Sequence, residues 1–488
     1  MTVEPALRDP LPDVERVTIW GAGWTGVCAA NLLRRFGKQV TLTDTREPDV
    51  LQAALARLAP TALADGVAIH HGEHDLCGAQ AIVMTQSVRP SDHVVAKAQA
   101  ARLPVIPEVE LANRALEGVT VLSIGGTDGK TTTTKLVGHL VGAQRHALIG
   151  GNSWLPLSGA APSLVEGAPE GPHAPVLVSE ISAFQLPPWH GFRPQIAAVT
   201  NVAEDHVQEF FQGSLQAYIA AKRALTDRLE RGDTAVLNVD DPIVRGWEPA
   251  LVARGVRVVR TSLTSRAVGD HPWAVFRNNG ELRTRWEGRE ERVVHQDAIP
   301  LLGDHNIENT LTALGAVMPL GLDVAQLREA LTTFEPPHHR LERVATWRGV
   351  GVYDDSKATN THAAMVGLSA FGSRSLIVIV GGVDKGLDLD AWVESLRSRA
   401  RRVVVIGGLR ERLLAQYGER LPQAQPAESL DEAVAMALSE ARPDEVVVLS
   451  PACSSFDMFA SYADRGRQFQ GCVARYIAAQ GGGDATDR

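Results

Sequence analysis

The sequence SIGGTDGKTTTT, at residues 123–134, has the composition and spacing of a phosphate-binding loop. Its first two residues end the short apolar run VLSI (121–124), and a stretch with the pattern of a helix follows the glycines. Backbone N–H groups of such a loop hold phosphate oxygens, a following lysine reaches the β- and γ-phosphates, and a hydroxyl binds Mg2+. Lys130 and Thr131 occupy those two positions, although Ile124 replaces the first glycine of the strict Walker A pattern. The loop therefore predicts ATP binding.

A second glycine pattern lies near the N-terminus, in VTIWGAGWTG. Gly21, Gly23 and Gly26 have the G-x-G-x-x-G spacing after an apolar strand, which lets a diphosphate approach the following helix. Asp44 ends the next apolar run, where an acidic residue would bind a ribose hydroxyl. Taken alone, this pattern favours an NAD enzyme. The same loop serves any diphosphate nucleotide, and Asp44 with Arg46 could equally address a uracil.

Three further residues complete a candidate catalytic set downstream of the ATP loop. Glu180 ends the apolar run VLVSE, His206 follows the run AAVT, and Lys222 lies in the helical segment YIAAK. Parallel sheets collect ligand groups at the carboxyl ends of their strands. Because Mg2+ prefers oxygen ligands, Glu180 and His206 with an oxygen-bearing neighbour indicate a magnesium site.

The elements that must position these residues are short apolar strands separated by helical stretches. The runs are VTIW (17–20), VTLT (40–43), AIVM (81–84), VLSI (121–124), VLV (176–178), AAVT (197–200), LIVIV (376–380), VVVI (403–406) and VVVL (446–449). Such unbroken apolar strands are typical of parallel sheets covered on both faces, so the predicted fold class is α/β. Asn279-Gly280 predicts a hairpin turn in a small antiparallel element, and residues 324–333 predict a helix.

Composition limits the remaining function classes. The length of 488 residues suggests about three domains. A formal charge of -9, from 48 basic and 57 acidic side chains, argues against a nucleic-acid partner but not against anionic small molecules. Four cysteines without a CxxC pair argue against disulfides and zinc, and favour a reducing cytoplasm. We expect no signal peptide and no membrane partner.

The motifs occur in an order that resembles a known family. They are GAGWTG (21–26), DTR (44–46), GTDGKTT (126–132), EISAFQL (180–186), NVAEDH (201–206), YIAAK (218–222), HHRLE (338–342), DDSKATN (354–360) and SPACSSFDMF (450–459). Over almost its whole length the chain resembles the ATP-dependent Mur ligases of peptidoglycan synthesis. It most resembles the members that add D-glutamate, because DSKATN and SPAC differ in siblings that add other residues.

The resemblance implies three domains and a reaction. The domains are a Rossmann-like UDP-substrate-binding domain (1–116), a central P-loop ATPase domain (117–337) and a Rossmann-like amino-acid-binding domain (338–488). ATP phosphorylates the alanyl carboxylate of UDP-N-acetylmuramoyl-L-alanine, and the amine of D-glutamate attacks the resulting acyl phosphate. Anionic groups must meet in this reaction, so cations and oriented dipoles carry most of the catalysis. A cytoplasmic monomer is expected.

The resemblance also implies roles for individual residues. Lys130, His206 and Lys222 are the implied catalytic residues. The implied ATP site contains Thr127, Asp128, Gly129, Lys130, Thr131, Thr132, Thr133, Asn306, Asn309, Arg340 and Asp355. The implied UDP-substrate site contains Trp24, Thr25, Asp44, Thr45, Arg46 and Asn152, and the implied amino-acid site contains Lys357, Thr359, Lys385, Ser455 and Tyr462. The implied ligands of two Mg2+ ions are Thr131, Glu180, His206 and Lys222, the last of which the family carbamylates.

The sequence departs from the family pattern at several positions, and alternatives stay open. Thr85-Gln86-Ser87 stands where Ser-Pro-Gly is common, Asp128 replaces Asn, Trp154 replaces a small residue and Tyr462 a Phe. One alternative is a sibling ligase that adds another acidic amino acid, such as L-glutamate. A dehydrogenase would leave Lys130 unexplained, and a catalytically dead nucleotide-binding protein would not need every motif lysine.

Overall fold

The structure is a computed structural model that describes residues 4–58, 67–169, 171–203, 211, 214–384, 386 and 388–481. Its strands are β1 (Ala6–Leu7), β2 (Arg16–Trp20), β3 (Gln39–Asp44), β4 (Ala68–His71), β5 (Ala81–Met84), β6 (Val105–Pro107), β7 (Leu116–Glu117), β8 (Thr120–Gly125), β9 (Ala147–Gly151), β10 (Val176–Glu180), β11 (Ile196–Val199), β12 (Thr234–Asn238), β13 (Arg257–Ser262), β14 (Ala274–Asn278), β15 (Glu281–Trp286), β16 (Arg289–His295), β17 (Glu342–Trp347), β18 (Val350–Asp354), β19 (Leu376–Gly381), β20 (Ala400–Ile406), β21 (Gln425–Pro426) and β22 (Val446–Leu449).

Helices separate most of these strands. They are α1 (Trp24–Arg34), α2 (Pro48–Leu55), α3 (His93–Ala100), α4 (Glu108–Arg114), α5 (Lys130–Gly142), α6 (Leu157–Glu166), α7 (Leu215–Asp227), α8 (Pro242–Arg245), α9 (Glu248–Ala253), α10 (Ser265–Val268), α11 (Asp304–Val317), α12 (Val324–Thr332), α13 (Thr361–Ser369), α14 (Asp390–Arg399), α15 (Arg410–Tyr417), α16 (Leu430–Glu440) and α17 (Tyr462–Ala479). None of these described helices combines the length and the apolar character that crossing a bilayer requires.

The N-terminal sheet has five parallel strands in the order β4-β3-β2-β5-β6. Ile19, Leu42 and Val83 lie on adjacent strands and are fully buried in one core. The turn from β2 into α1 needs glycine twice. Gly21 has φ of +101°, and a Cβ atom at Gly26 would collide with the carbonyl oxygen of Gly21. The glycine pattern therefore produces the expected tight strand–helix turn.

The central sheet has nine strands in the order β16-β15-β14-β13-β12-β11-β8-β10-β9. The seven strands from β8 to β14 run parallel, and β15 and β16 add antiparallel to the edge. Asn279 and Gly280, with φ of +49° and +78°, connect β14 to β15. Two central residues with positive φ are typical of the type I′ turn, so the predicted hairpin is confirmed.

Helix α4 joins the first two sheets. Glu108 Oε1 accepts hydrogen bonds from the backbone N–H and the hydroxyl of Ser158, at the start of α6, at 2.7 and 2.5 Å. Glu110 Oε2 accepts one from the N–H of Gly191 at 2.5 Å. Both glutamates are buried, and burial raises the pKa of Glu108 although the bonds from Ser158 oppose it. The carboxylates of Glu108 and Glu110 thus hold helix α4 against the domain that contains the nine-stranded sheet.

The C-terminal sheet has six strands in the order β17-β18-β22-β19-β20-β21, of which only β17 is antiparallel. Its strands alternate between two cores. Val378, Val403 and Val448 face one core, and their neighbours face the other. Burial on both faces explains why these strands are unbroken apolar runs.

The described chain divides into two compact units, residues 1–299 with 308–334, and residues 300–307 with 335–488. The five- and nine-stranded sheets lie in the first unit and the six-stranded sheet in the second. The predicted α/β class with three parallel-sheet domains is confirmed. The domain bounds at 116/117 and 337/338 stay a prediction.

Candidate active site

Four neighbouring strands of the central sheet end beside one another at its carboxyl edge. In the sheet register, Ile124 of β8 pairs with Glu180 of β10, which in turn pairs with Gly151 of β9. Val199 of β11 pairs with Gly125 of β8. The phosphate-binding loop, Glu180 and the segments that follow β9 and β11 therefore meet at one edge, where parallel sheets bind ligands.

The phosphate-binding loop is held in shape by the segment that follows β11. Gly126 has φ of +128°, and a Cβ atom there would collide with Thr200 Oγ1. Thr200 Oγ1 donates to the carbonyl oxygen of Asp128 at 2.6 Å, and the N–H of Asp128 donates to Asn201 Oδ1 at 2.9 Å. The loop leads into the N-terminus of α5, whose N–H groups and dipole favour an anion.

Two lysines from different helices reach this loop. Lys130, the first residue of α5, is half-buried and donates to the carbonyl oxygen of Thr127 at 2.6 Å. Lys222 on α7 is 8% exposed and donates to the carbonyl oxygen of Gly126 at 2.6 Å. One turn earlier, the hydroxyl of Tyr218 lies 2.8 Å from Thr127 Oγ1, and its ring centroid is 5.0 Å from Lys222 Nζ. Residues at i and i+4 of α7 thus contact the loop together.

Glu180 accepts hydrogen bonds from three consecutive residues after β9. Asn152 Nδ2 and Ser153 Oγ donate to its Oε1 at 3.2 and 3.0 Å, and Trp154 Nε1 donates to its Oε2 at 3.0 Å. Glu180 is 1% exposed. The segment with the unusual tryptophan therefore fixes the orientation of the carboxylate at the end of β10.

The surroundings of Glu180 fit a divalent cation. Among the residues that the structure describes, its carboxylate is bonded by neutral donors only, and a buried carboxylate is stable when a cation balances its charge. Thr131, the second residue of α5, and Lys222 are the other described members of the expected metal set. His206 lies outside the described residues.

Asn309 on α11 meets the other side of the phosphate-binding loop. Its Oδ1 accepts a hydrogen bond from Thr133 Oγ1 at 3.3 Å, and a Cβ atom at Gly129 would collide with it. Thr132 and Thr133 are 5% and 0% exposed. The backbone N–H of Thr133 also donates to the carbonyl oxygen of Gly129 at 2.9 Å, so Thr133 is bound to the loop through its side chain and its backbone.

Asp44, at the end of β3, lies beside the N-terminal glycine loop. Its carboxylate accepts hydrogen bonds from the N–H of Ala22 at 2.7 Å and from Arg46 Nε and Nη2 at 2.8 and 2.7 Å. Burial opposes ionisation, but the bonds from Arg46 and Ala22 outweigh it and lower the pKa of Asp44 to about 2. Asp44 is only 2% exposed, whereas Arg46, which it holds in place, is exposed. The guanidinium of Arg46 is therefore the more accessible group of this pair.

The other predicted UDP-substrate residues surround the same loop. Trp24 is 46% exposed, and the guanidinium of Arg57 lies 3.8 Å from its ring centroid. Thr25 lines a small pocket together with residues of α4 and of segment 183–185, and Thr45 is exposed. Asn152 differs, because its amide donates to Glu180 at the edge of the central sheet.

The departure at residues 85–87 places two hydroxyl groups against the glycine loop. Thr85 Oγ1 donates to the carbonyl oxygen of Trp20 at 2.8 Å and lies 2.7 Å from Ser87 Oγ. A Cβ atom at Gly21 would collide with Thr85 Oγ1. Thr85 keeps a hydroxyl where the family pattern has serine, and Ser87 adds a second hydroxyl where that pattern has glycine.

Part of the predicted amino-acid site lies together after the strands of the C-terminal sheet. Lys357 follows β18, and its Nζ lies 3.8 Å from the ring centroid of Tyr462, the first residue of α17. Thr359 is half-buried and Ser455, after β22, is 2% exposed. Lys385 lies outside the described residues.

Asp355, which is predicted in the ATP site, directly follows β18 and is buried. Burial raises its pKa to about 7, although the hydroxyl of Ser450, which donates to its Oδ2 at 3.0 Å, and the charge of Arg340 lower it. Arg340 is exposed. Asn306 Nδ2 donates to the carbonyl oxygen of Leu302 at 2.7 Å.

Four residues that contact the site were missing from the predicted set. Thr200 and Asn201 hold the phosphate-binding loop, Ser153 holds Glu180, and Tyr218 contacts the loop with Lys222. A signal was present for Tyr218 in its i, i+4 spacing from Lys222. Polar residues directly after an apolar strand were the corresponding signal for 200 and 201.

Two family models match the chain. The model described as Mur ligase middle domain matches residues 124–317, and the model described as Mur ligase, glutamate ligase domain, matches residues 339–453. The two matches span the phosphate-binding loop, Glu180 and the DDSKATN segment. Together with the fold, these matches show that the chain belongs to the Mur ligase family.

Relatives with a more particular name align over nearly the full length. The UDP-N-acetylmuramoylalanine--D-glutamate ligase of Geobacter metallireducens is 37% identical, with 94% of this chain and 97% of the relative covered. Proteins of the same name from Acidobacterium capsulatum and Salinibacter ruber are 34% and 33% identical; the alignments cover 95% and 94% of this chain and 97% of each relative.

Solved structures have the same architecture. The UDP-N-acetylmuramoylalanyl-D-glutamyl-2,6-diaminopimelate--D-alanyl-D-alanyl ligase of Acinetobacter baumannii aligns with a TM-score of 0.57 and 13% identity, covering 97% of this chain and 99% of that one. The MurF ligase of Thermotoga maritima, in complex with ADP, aligns with a TM-score of 0.55 and 16% identity, covering 91% and 96%. At these identities the likeness concerns the fold alone.

Proposed function

We propose that this Mur ligase joins D-glutamate to UDP-N-acetylmuramoyl-L-alanine with the hydrolysis of ATP to ADP and phosphate, in peptidoglycan precursor synthesis. The observation that carries the proposal is the arrangement at the carboxyl edge of the central sheet. There a phosphate-binding loop is contacted by the buried Lys222 and flanked by the buried carboxylate of Glu180. The name shared by relatives at 33–37% identity supports the choice of substrates.

The reaction needs an activated carboxyl group, because the charge and resonance of a carboxylate resist attack by an amine. An oxygen of the alanyl carboxylate attacks the γ-phosphorus of ATP, and the bond from that phosphorus to the bridging oxygen of ADP breaks. The neutral amine of D-glutamate then attacks the acyl carbon. The tetrahedral intermediate expels phosphate, and the amine loses a proton as the amide forms.

The phosphate-binding loop and Lys130 carry the first step. Residues 127–133 hold the triphosphate, and Lys130 turns from its carbonyl acceptor toward the β- and γ-phosphates. Preorganised donors and positive charge stabilise the charge that develops on the transferred group. The contacts of the loop with Thr200, Asn201 and Asn309 support this role, because they keep the donors in place before ATP binds.

Thr131, Glu180, His206 and Lys222 form the proposed metal set, and Mg2+ held there would neutralise phosphate and acyl-phosphate oxygens. Lys222 joins this set as a carbamate, which replaces a cation by an anionic group with two oxygens. Its burial against the carbonyl oxygen of Gly126 supports the assignment, since the side chain is already beside the loop.

The substrates bind at the other two sheets. The UDP moiety is bound by Trp24, Thr25, Asp44, Thr45 and Arg46, and the sugar by Asn152. The ATP site is completed by Asn306, Asn309, Arg340 and Asp355. Lys357, Thr359, Lys385, Ser455 and Tyr462 form the acceptor site, where two lysines suit two carboxylates. The three domains are residues 1–116, 117–337 and 338–488. The protein acts as a monomer in the cytoplasm, where its phosphoryl donor ATP is made.

A phosphate-release assay tests the proposal. Purified protein receives UDP-N-acetylmuramoyl-L-alanine, ATP and Mg2+ with one of D-glutamate, L-glutamate, D-aspartate or L-alanine. We expect release with D-glutamate at least tenfold above every other acceptor, and a product that contains one amide bond more than the substrate by mass spectrometry. Release with L-glutamate but background with D-glutamate would establish the sibling activity instead.

A further inference from the structure

Arg465, in the first turn of α17, is completely buried. It is 0% exposed and belongs to the largest fully buried side chains of the described chain. Among the residues that the structure describes, no carboxylate forms an ion pair with it. Burial lowers its pKa to about 10, so the guanidinium is still charged at neutral pH. The molecule thus retains a buried cation in the interior of its C-terminal unit.

The guanidinium binds the segments that follow three adjacent strands. Nε donates to Ser356 Oγ at 2.9 Å and Nη2 to the carbonyl oxygen of Ser356 at 3.0 Å, after β18. Nη2 also donates to the carbonyl oxygen of Cys453 at 2.9 Å, after β22, and Nη1 to that of Gly381 at 3.5 Å, at the end of β19. One planar group therefore connects the three loops at the carboxyl edge of the sheet's centre.

Two of these acceptor residues are close in sequence to residues of the proposed acceptor site. Ser356 precedes Lys357, and its hydroxyl donates to the carbonyl oxygen of Tyr462 at 2.8 Å. Cys453 lies two residues before Ser455. The contact of Lys357 Nζ with the Tyr462 ring, at 3.8 Å, thus depends on two segments that Arg465 holds together.

Stability alone does not account for this arginine. A buried charge without an ion partner costs several kcal/mol of desolvation, and an apolar side chain of similar volume is often as stable or more stable. The fork geometry of arginine, by contrast, binds several acceptors at fixed angles, which lysine cannot reproduce. The desolvation cost of this buried arginine is explained if the alignment of the three loops is needed to bind a substrate.

We propose that Arg465 is a positioning residue for the acceptor amino acid, which aligns Lys357, Ser455 and Tyr462 by holding the loops after β18, β19 and β22. The proposal rests on the acceptor site of the proposed function. It predicts a specific defect, in which the KM for D-glutamate rises while binding of ATP and of the UDP-substrate is retained, because the proposed contacts of those two substrates lie mainly in the first compact unit.

The test compares Arg465→Lys and Arg465→Met with wild-type protein, and uses Arg467→Met as the matched control. Arg467 lies on the same helix, and its side chain is 66% exposed. We expect the KM for D-glutamate to rise at least tenfold in both Arg465 variants and more in Arg465→Met, with the KM for ATP within twofold of wild type. The melting temperature of Arg465→Met should stay within a few degrees, and Arg467→Met should match wild type throughout.

Ser356→Ala gives a second route, because it removes one acceptor and leaves the guanidinium in place. It should raise the KM for D-glutamate several-fold in a folded protein. If the Arg465 variants unfold, this variant decides the question. An unchanged D-glutamate KM in a folded Arg465 variant or in Ser356→Ala, or an equal loss for all three substrates, would overturn the positioning role.

The acyl phosphate forms before the acceptor amino acid reacts. Measuring its formation therefore distinguishes a failure of this proposal from a failure of the proposed function. Hydroxylamine traps an acyl phosphate as a hydroxamate, so the first step can be measured without amino acid. Arg465→Lys should form hydroxamate at the wild-type rate. If wild-type protein forms hydroxamate but turns over no D-glutamate, the proposed acceptor is wrong, whereas normal turnover in both proteins makes the role of Arg465 wrong.

Discussion

The indole Nε1 of Trp154 donates a hydrogen bond of 3.0 Å to Oε2 of Glu180. With the bonds from Asn152 and Ser153 to Oε1, the carboxylate is held on both oxygens by one short segment. Groups that orient a metal-binding carboxylate tune affinity without touching the metal. Trp154 is therefore a residue through which this chain sets the geometry of its proposed magnesium site.

Trp154→Phe removes the N–H donor and keeps an aromatic ring. We expect the Mg2+ concentration that gives half-maximal activity to rise about three- to tenfold, with kcat at saturating Mg2+ within twofold of wild type, because Glu180 loses one orienting bond. Mg2+-dependent ATP binding, measured by calorimetry, should shift in parallel. Trp286→Phe, at the end of strand β15, is the control. An unchanged Mg2+ requirement would show that the indole does not act through Glu180.

Lys130→Ala should abolish ATP turnover, with a fall in kcat of at least a hundredfold, because no other described side chain at the start of α5 carries a positive charge to the phosphates. Binding of UDP-N-acetylmuramoyl-L-alanine should persist within twofold, since that substrate is expected at the N-terminal sheet. Phosphate release and equilibrium binding measure the two effects. Lys135→Ala, further along α5, should keep most of the turnover. If Lys130→Ala lost both ATP turnover and binding of UDP-N-acetylmuramoyl-L-alanine, Lys130 would be a structural residue.

Lys222→Ala should lose most of the activity and regain part of it with added acetate or propionate, which can replace the oxygen atoms of a carbamate. Initial rates at increasing carboxylate concentration provide the measurement. The control is Arg223→Ala, which removes an exposed neighbour that pairs with Asp227 at 3.3 Å and should behave as wild type. A wild-type rate in the plain Lys222→Ala variant would refute a role at the metal.

Asp355 should make the C-terminal unit less stable as the pH rises. Its folded-state pKa is raised to about 7, primarily by burial, so between about pH 4 and 7 the folded state keeps a proton that the unfolded carboxyl has lost. The free energy of unfolding therefore falls through this window, by at most about 4 kcal/mol, and is constant above it.

Thermal unfolding between pH 5 and 8 measures this effect. Asp355→Asn cannot ionise, so its melting temperature should depend less on pH than that of wild type. Ser450→Ala removes a hydrogen bond that favours the carboxylate, so it should extend the fall in stability to higher pH and make the total fall larger. Asp390→Asn, which breaks an exposed ion pair with Arg420, is the control. Equal pH slopes for Asp355→Asn and wild type would contradict the raised pKa.

Local patterns in the sequence predicted most of the elements. The runs AIVM and VVVL coincide with β5 and β22, the helix expected at 324–333 is Val324–Thr332, and Asn279-Gly280 is a hairpin turn. These features are encoded in neighbouring residues, because alternation, glycine placement and strand length act over a few positions. The glycine loop and the helix after it were predictable for the same reason.

Contacts between distant residues were not predictable in this way. Asn309 was expected near ATP, but its position against Gly129 follows from the packing of α11 on the central sheet. Asp44 was expected at a nucleotide site, but the hydrogen bonds of its carboxylate with Arg46 and Ala22 were not predicted. Nothing in the residues around Arg465 indicates that its guanidinium binds three loops, because those acceptors are 12 to 109 positions away along the chain.

The sequence by itself determined the α/β class, the family and the motif residues, because each motif is a short run whose spacing reflects one strand, loop or helix. Only the tertiary structure decided which of those residues meet at one sheet edge and which hold another residue in place. The physical reason is that burial and hydrogen-bond partners arise when parallel strands bring distant loops to one edge. Glu180 with Trp154, Lys222 with Gly126, and Arg465 with Ser356 exist only in that folded arrangement.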